Sequence, residues 1–174
     1  EYLNSYFTDD SGEMININAL LADYFLKDAL GSDNYDYNFK GENIRSYNEL
    51  PYHVNESRDF ERLEKVLSSY SFIKNKLKLS DINNLIVDYQ FKDFEDGSAH
   101  QFLEGEDDHS VVLIGRALEL SAPILAENKE ELPTQLYGRM VGLKDDRIIK
   151  QILDEIENED SSAMALKPKS NCLY

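Results

Sequence analysis

The side chains able to do chemistry in this chain are few and scattered. Its histidines are His53, His100 and His109, and its one cysteine is Cys172. A zinc site needs such ligands at short, fixed spacings, for example H-E-x-x-H on one face of a helix, and none of these residues has a neighbour at that spacing. His109-Ser110 sets a base beside a hydroxyl, but a nucleophilic serine needs a Gly-flanked elbow and a base delivered from elsewhere in the fold. Capping of a helix by Asp108 or Ser110 is the simpler expectation. Cys172 lies in a polar stretch with nothing near it in sequence to lower its pKa, and is read as an inert thiol. A phosphate-cradling loop requires G-x-x-x-x-G-K-[S/T], and none of the eight glycines is followed by lysine. Calcium loops fail as well. Asp36-x-Asn38-x-Lys40-Gly41 puts a cation where an oxygen ligand belongs, and Asp93-x-Glu95 brings Gly97 one position early. Asn55-Glu56-Ser57 has the form of a glycosylation sequon and is read as part of an interhelical turn. No catalytic, cofactor-binding or metal-binding residue is assigned, and the chain is expected not to be an enzyme. A hydrolase built on acidic residues lacks carboxylates paired by any recognisable motif.

With 34 Asp and Glu against 18 Lys and Arg in 174 residues, the net charge is −16. Such a surface repels phosphate backbones and anionic headgroups, so neither nucleic acid nor membrane is an expected partner. No apolar run approaches the roughly 20 residues of a membrane-spanning helix, and the first residues lack the basic and apolar regions of a signal peptide. A lone cysteine offers no disulfide framework. The location read from these features is cytoplasmic. The start without Met and the ending at Leu173-Tyr174 suggest a piece of a longer chain.

The elements follow from apolar spacing. Ile17, Leu20, Leu21, Tyr24, Phe25 and Leu30 form one helical stripe, ended by Gly31, and residues 32–41 read as a surface loop. Ile44, Tyr47, Leu50 and Val54 make a second helix, which Pro51 should kink or break into a turn. After the polar turn Glu56-Ser57-Arg58-Asp59 the stripe resumes as Phe60, Leu63, Val66, Leu67 and Tyr70, an αα-hairpin. Phe72, Ile73 and Leu77 make a short helix, and Ser80-Asp81 caps another with Ile82, Leu85, Ile86 and Tyr89. Residues 92–108 read as an exposed acidic loop, where solvated charge is the expectation and loose Ca²⁺ binding the alternative.

A long helix spans about 110–126, with Val111, Ile114, Leu118, Ala122 and Leu125 on one face and a bend at Pro123. Its small residues, Gly115, Ala117, Ser121 and Ala122, would let a neighbour approach closely, which makes it the central helix. The next helix carries Leu132, Leu136, Tyr137, Met140 and Val141. Its start is either the capping box Asn128/Glu131 or the first turn marked by Pro133, and Gly142 ends it. Asp145 opens a last helix with Ile148, Ile149, Ile152, Leu153 and Ile156. The L-x-G-R pattern shared by Leu113–Arg116 and Leu136–Arg139 is read as coincidence rather than repeat. Tyr47, Tyr52, Tyr70, Tyr89 and Tyr137 lie in or beside the apolar stripes, as core rings whose hydroxyls reach an edge partner; a peptide groove lined by them is the alternative. The fold class is all-α, a bundle or short solenoid of antiparallel helix pairs in a TPR-like arm. Residues 1–157 form that domain and 158–174 an extended tail or linker.

Leu21-Ala-Asp-Tyr-Phe25, Tyr47-Asn-Glu-Leu-Pro-Tyr-His53, Phe72-Ile-Lys-Asn-Lys-Leu77 and Asp81-Ile-Asn-Asn-Leu-Ile-Val-Asp-Tyr89 carry a resemblance. In that order they resemble the helical region of STAND-type signalling NTPases related to the apoptotic protease-activating factor. The resemblance continues through Leu118-Glu-Leu-Ser-Ala122 and Gln135-Leu-Tyr-Gly-Arg139, covering about residues 20–142. The tail from Leu166-Lys-Pro168 to Leu173 is similar to the segment entering a WD-repeat β-propeller in those proteins. The resemblance implies a non-catalytic connector, with the nucleotide-binding module and winged helix upstream, residues 1–30 as that region's trailing edge, and the propeller downstream. The implied partners are those domains of the same chain. The acidic loop 92–108 departs from the pattern and stands as an insertion or separate contact site. A free-standing helical adaptor that grips a partner peptide or helix is the alternative function.

Overall fold

The computed structural model describes residues 11–32, 35–90 and 110–159. The acidic stretch 92–108, His100, His109, Cys172 and the tail from 160 on lie outside the described residues. Eight α-helices are described: α1 Ser11–Leu30, α2 Ile44–Glu56, α3 Phe60–Leu67, α4 Tyr70–Leu79, α5 Ile82–Val87, α6 Ser110–Glu127, α7 Leu132–Met140 and α8 Arg147–Glu159. Among the described residues there is no strand. The fold is all-α, as the spacing requires.

Sequential neighbours pack on one another along α1, α2, α3, α4 and α5, and α6 packs on α5, α7 and α8. The last helix, α8, also returns to α4. That contact between distant parts of the chain makes this a bundle rather than a solenoid, in which each unit touches only its neighbours. One continuous core results, running from Ala22 and Phe25 through Tyr47, Phe72 and Ile114 to Ile156.

Local signals explain most helix ends. The side chains of Asn43, Asp59, Ser69 and Asp81 each accept a backbone N–H in the first turn of the helix that follows, satisfying donors that have no intrahelical partner. Gly31, at φ +67, ends α1, a conformation that costs glycine nothing. Tyr70 opens α4 after the Ser69 cap instead of closing α3. Of the two starts open for the seventh helix, the capping box at Asn128 and Glu131 is not formed and the first turn marked by Pro133 is. Asn128 caps a short 3₁₀ turn, and α7 starts at Leu132 with Pro133 in its first turn. The last helix is capped by Asp146 rather than Asp145, its Oδ1 accepting from Ile148 N at 2.8 Å and Ile149 N at 2.9 Å.

Three expectations need larger correction. On α1 the stripe is rotated: Leu20 and Tyr24 are 70% and 64% exposed, and the buried face is Asn18, Ala22, Phe25, Leu26, Ala29 and Leu30. Small alanines face α2 at close quarters, and pattern reading weighted toward large apolar residues misses them. The loop after α1 is not purely surface, because Phe39 is buried edge-on against Phe72, their centroids 5.1 Å apart. Finally, α2 runs unbroken through Pro51.

Gly115 meets the expectation of close approach. A Cβ there would lie 2.9 Å from Tyr89 Cβ, an atom fixed to the backbone that cannot swing aside. Gly115→Ala is expected to destabilise by about 1–2 kcal/mol, overpacking outweighing the gain in helix propensity. Urea unfolding checks this, and Gly138→Ala on α7 serves as the comparison.

Candidate functional site

Ser110, Ser57 and His53, singled out for chemistry in the sequence, each have a structural task. Ser110 is buried at the start of α6 and its Oγ donates to Asp146 Oδ2 at 2.7 Å, tying α6 to the cap of α8. Ser57 closes α2 by donating from Oγ to Val54 O at 2.8 Å. His53 Nδ1 lies 2.8 Å from Asn18 Oδ1. Asn18 Nδ2 donates to Met14 O, which leaves Oδ1 as the acceptor and puts the proton on Nδ1. The ring stacks on Phe25 at 11° and 5.5 Å. Burial pushes the His53 pKa down, opposed by Glu49 and Glu56. The unfolded chain therefore takes up a proton more readily as pH falls past 6.5, and stability contributed above that value is lost below it. The loss of stability caused by His53→Gln is expected to be smaller at pH 5.5 than at pH 7.5, a comparison of variant with wild type at each pH that denaturant titration measures.

Of the five tyrosines, four behave as core rings. Tyr47 donates to Gly41 O at 3.0 Å and burial pushes its pKa up to about 12. Tyr89 donates to Leu67 O at 2.8 Å, and Tyr137 to Glu157 at 2.6 Å. Tyr70 is fully buried, whereas Tyr52 is 58% exposed. Arg116 and Arg139, which end the two L-x-G-R segments, differ. Arg116 is exposed, while Arg139 Nε donates to Ser121 Oγ at 2.8 Å, joining α7 to α6.

The most unusual chemistry is at a residue that the apolar pattern passed over. Lys76 occupies the inward face of α4, three residues after Ile73 and four after Phe72, and is 1% exposed. Its ammonium donates to Tyr47 O at 3.1 Å and to Asp88 Oδ2 at 2.5 Å, and lies 5.9 Å from the Phe72 centroid. Tyr47 O is the carbonyl that residue 51 would satisfy in an uninterrupted helix. Proline has no N–H, so the lysine replaces the missing donor. This is why α2 passes through Pro51 intact. Asp88, the C-cap of α5, is itself buried, and burial pushes its carboxyl up to about 7 against the pull of Lys76. Two signals pointed here: a proline four residues after a core tyrosine, and a lysine inside an apolar stripe.

Asp88 also lines a cavity of about 220 Å³ between α2, α3 and the end of α5, with Asn48, Tyr52, Asn55, Glu56 and Val87 among its walls. Among the described residues, no three His, Cys, Asp or Glu side chains converge as metal ligands, and no described helix is long and apolar enough to cross a membrane.

The family model for the APAF-1 helical domain matches residues 28–136, which run from the last turn of α1 into α7. The chain belongs to the APAF-1 helical domain family. In that family the helical domain is a non-catalytic region. No curated protein and no solved structure matches the chain. The family match includes the ring cluster Phe39, Tyr47 and Phe72 and the Lys76 tie.

Proposed function

We propose that this chain is the helical arm of a larger signalling NTPase. It joins a nucleotide-binding and winged-helix module on its N-terminal side to a WD-repeat propeller on its C-terminal side, and relays the propeller's state by moving as a rigid body. The family match over residues 28–136 carries this reading. Its mechanical side is supported by the ties that lock α1, α2, α4 and α5: Ser46 to Asp28, His53 to Asn18, and Lys76 to Tyr47 and Asp88. A body cross-linked by buried polar contacts passes on a displacement instead of absorbing it. On α1, Met14, Leu20, Leu21 and Tyr24 are apolar residues that the bundle leaves exposed, on the helix nearest the proposed winged-helix side. An adaptor with a tyrosine-lined groove is less favoured, because four of the five rings are interior.

The reading frame around the chain tests the proposal. A G-x-x-x-x-G-K-[S/T] motif upstream and Trp-Asp repeats downstream are expected; a complete frame with neither overturns it. In the full-length protein, Leu20→Asp with Tyr24→Asp is expected to speed release of a fluorescent nucleotide, by loosening α1 from the module before it. Unchanged release would remove α1 from the relay.

A further inference from the structure

The loop between α1 and α2 lies on α4 in the way an extended peptide lies on a receptor. Residues 37–40 are in neither helix nor strand, and their side chains alternate: Tyr37 half-buried, Asn38 exposed, Phe39 buried, Lys40 exposed, as in a strand with one face against a surface. Side chains of α4 and its cap hold the backbone. Ser69 Oγ and Ser71 Oγ donate to Tyr37 O at 3.0 and 3.2 Å, Phe39 N donates to Ser71 Oγ at 2.9 Å, and Asn75 Nδ2 donates to Phe39 O at 2.5 Å. Among the described residues, no backbone group of 37–40 bonds to another backbone group. Phe39 is the anchor, its ring 5.1 Å from that of Phe72 and 6.3 Å from that of Tyr47. Tyr37 is held at φ +56, a left-handed backbone that is costly for any residue with a Cβ and persists only where its surroundings impose it. A strained segment gripped by side chains alone belongs to the part of a fold that opens before the rest unfolds.

We infer that Ser69, Ser71 and Asn75, with the aromatic pocket of Tyr47 and Phe72, form a peptide-binding site that Tyr37–Phe39 fill from within the chain, and that a partner polypeptide with an extended, phenylalanine-bearing segment takes their place. The resident segment shows what the site reads. Every polar contact goes to the backbone at 37 and 39, so these contacts set direction and register, while the pocket selects an aromatic side chain. Exchange has a mechanical consequence. Gly41, two residues after the anchor, is joined to the end of α1 through Ala29 O and to α2 through Tyr47 Oη, so lifting the loop frees the end of α1. The tether gives the resident segment an effective concentration on the order of millimolar, against which a free peptide competes poorly. Removing the resident anchor therefore opens the site to measurement.

The probe is acetyl-Asp-Tyr-Asn-Phe-Lys-amide, which copies residues 36–40, with alanine in place of its phenylalanine as the control. Titrated into the ¹⁵N-labelled Phe39→Ala chain, it is expected to give saturable shifts at the amides of residues 69–76 and a thermal midpoint that rises with peptide concentration. The alanine peptide should bind at least about tenfold more weakly, having no ring to bury. Adding Asn75→Ala to the Phe39→Ala chain should weaken binding about fivefold, the loss of one hydrogen bond. The wild-type chain, its site filled, should bind at least about tenfold more weakly than Phe39→Ala. A second measurement needs no variant: in native-state hydrogen exchange of the wild type, the Phe39 amide should open at least about tenfold more often than those of Leu50 in α2 and Leu77 in α4. Absence of saturable binding, shifts scattered over the surface, equal binding of the alanine peptide, or a Phe39 amide that exchanges only together with Leu50 and Leu77 would overturn the assignment.

Discussion

Lys76→Met is expected to destabilise the bundle by about 3–5 kcal/mol, one of its two most damaging single substitutions. The shape of the side chain is nearly kept, so the loss is electrostatic. Removing the ammonium leaves the Asp88 carboxyl buried without its partner and the Tyr47 carbonyl without a donor, two defects in one core. They can be repaired separately. Lys76→Met with Asp88→Leu removes the stranded carboxylate and should recover more than half of the loss, because replacing both members of a buried pair by apolar groups is often close to neutral. Adding Pro51→Ala restores an N–H to face the Tyr47 carbonyl and should recover most of the rest. Denaturant unfolding of the three variants measures each step. If Pro51→Ala brings no extra gain in the double variant, the lysine is not the proline's substitute donor.

The same tie has a signature in pH. A carboxyl raised from 3.8 to about 7 keeps its proton in the folded chain after the unfolded chain has released it. Its contribution to stability is therefore complete below pH 3.8 and is lost as pH rises through about 7. Without Lys76 the carboxyl is harder still to ionise, so the penalty of Lys76→Met should be smaller at pH 5 than at pH 8.

What the sequence made legible follows from which forces act locally. The cap at Asp81, the stop at Gly31, the stripe of α8 and the close approach at Gly115 depend on residues a few positions apart, or on side-chain size alone, and these could be read directly, whereas the Ser69 cap was lost inside a stripe drawn on to Tyr70. The rotation of α1 could not. Ala22 and Ala29 are buried because α2 comes near them, and nothing in a one-dimensional pattern ranks an alanine above Leu20. Phe39 is anchored by Phe72, thirty-three positions away, so its loop looked like surface. The Lys76 tie was hidden for a related reason. Each of Pro51, Lys76 and Asp88 breaks a local rule, and only their meeting across three helices shows that the breaks compensate one another.

Gly41→Ala should cost about 3–5 kcal/mol, although it adds a single methyl group. Residue 41 is where the loop after α1 touches down on that helix's end: Gly41 N donates to Ala29 O at 2.9 Å, and Gly41 O accepts from Tyr47 Oη at 3.0 Å. A Cβ at this position would press into the Asp28 carbonyl oxygen and stand 2.9 Å from that of Ala29. Both oxygens belong to helix backbone and cannot swing away, so the loop itself has to move. Its displacement pulls on Phe39 two residues earlier, whose ring is held by Phe72 and whose backbone N–H donates to Ser71 Oγ at 2.9 Å. The expected cost is thus close to that of giving up a buried phenylalanine. This makes the two positions coupled: Phe39→Ala alone should cost a similar amount, and the double variant much less than the sum, because once the ring is gone the loop is free to lift. A double-mutant cycle by urea unfolding decides it. Strict additivity would mean that the methyl group is accommodated at α1 itself, and that the loop's grip on the core does not depend on a glycine at 41.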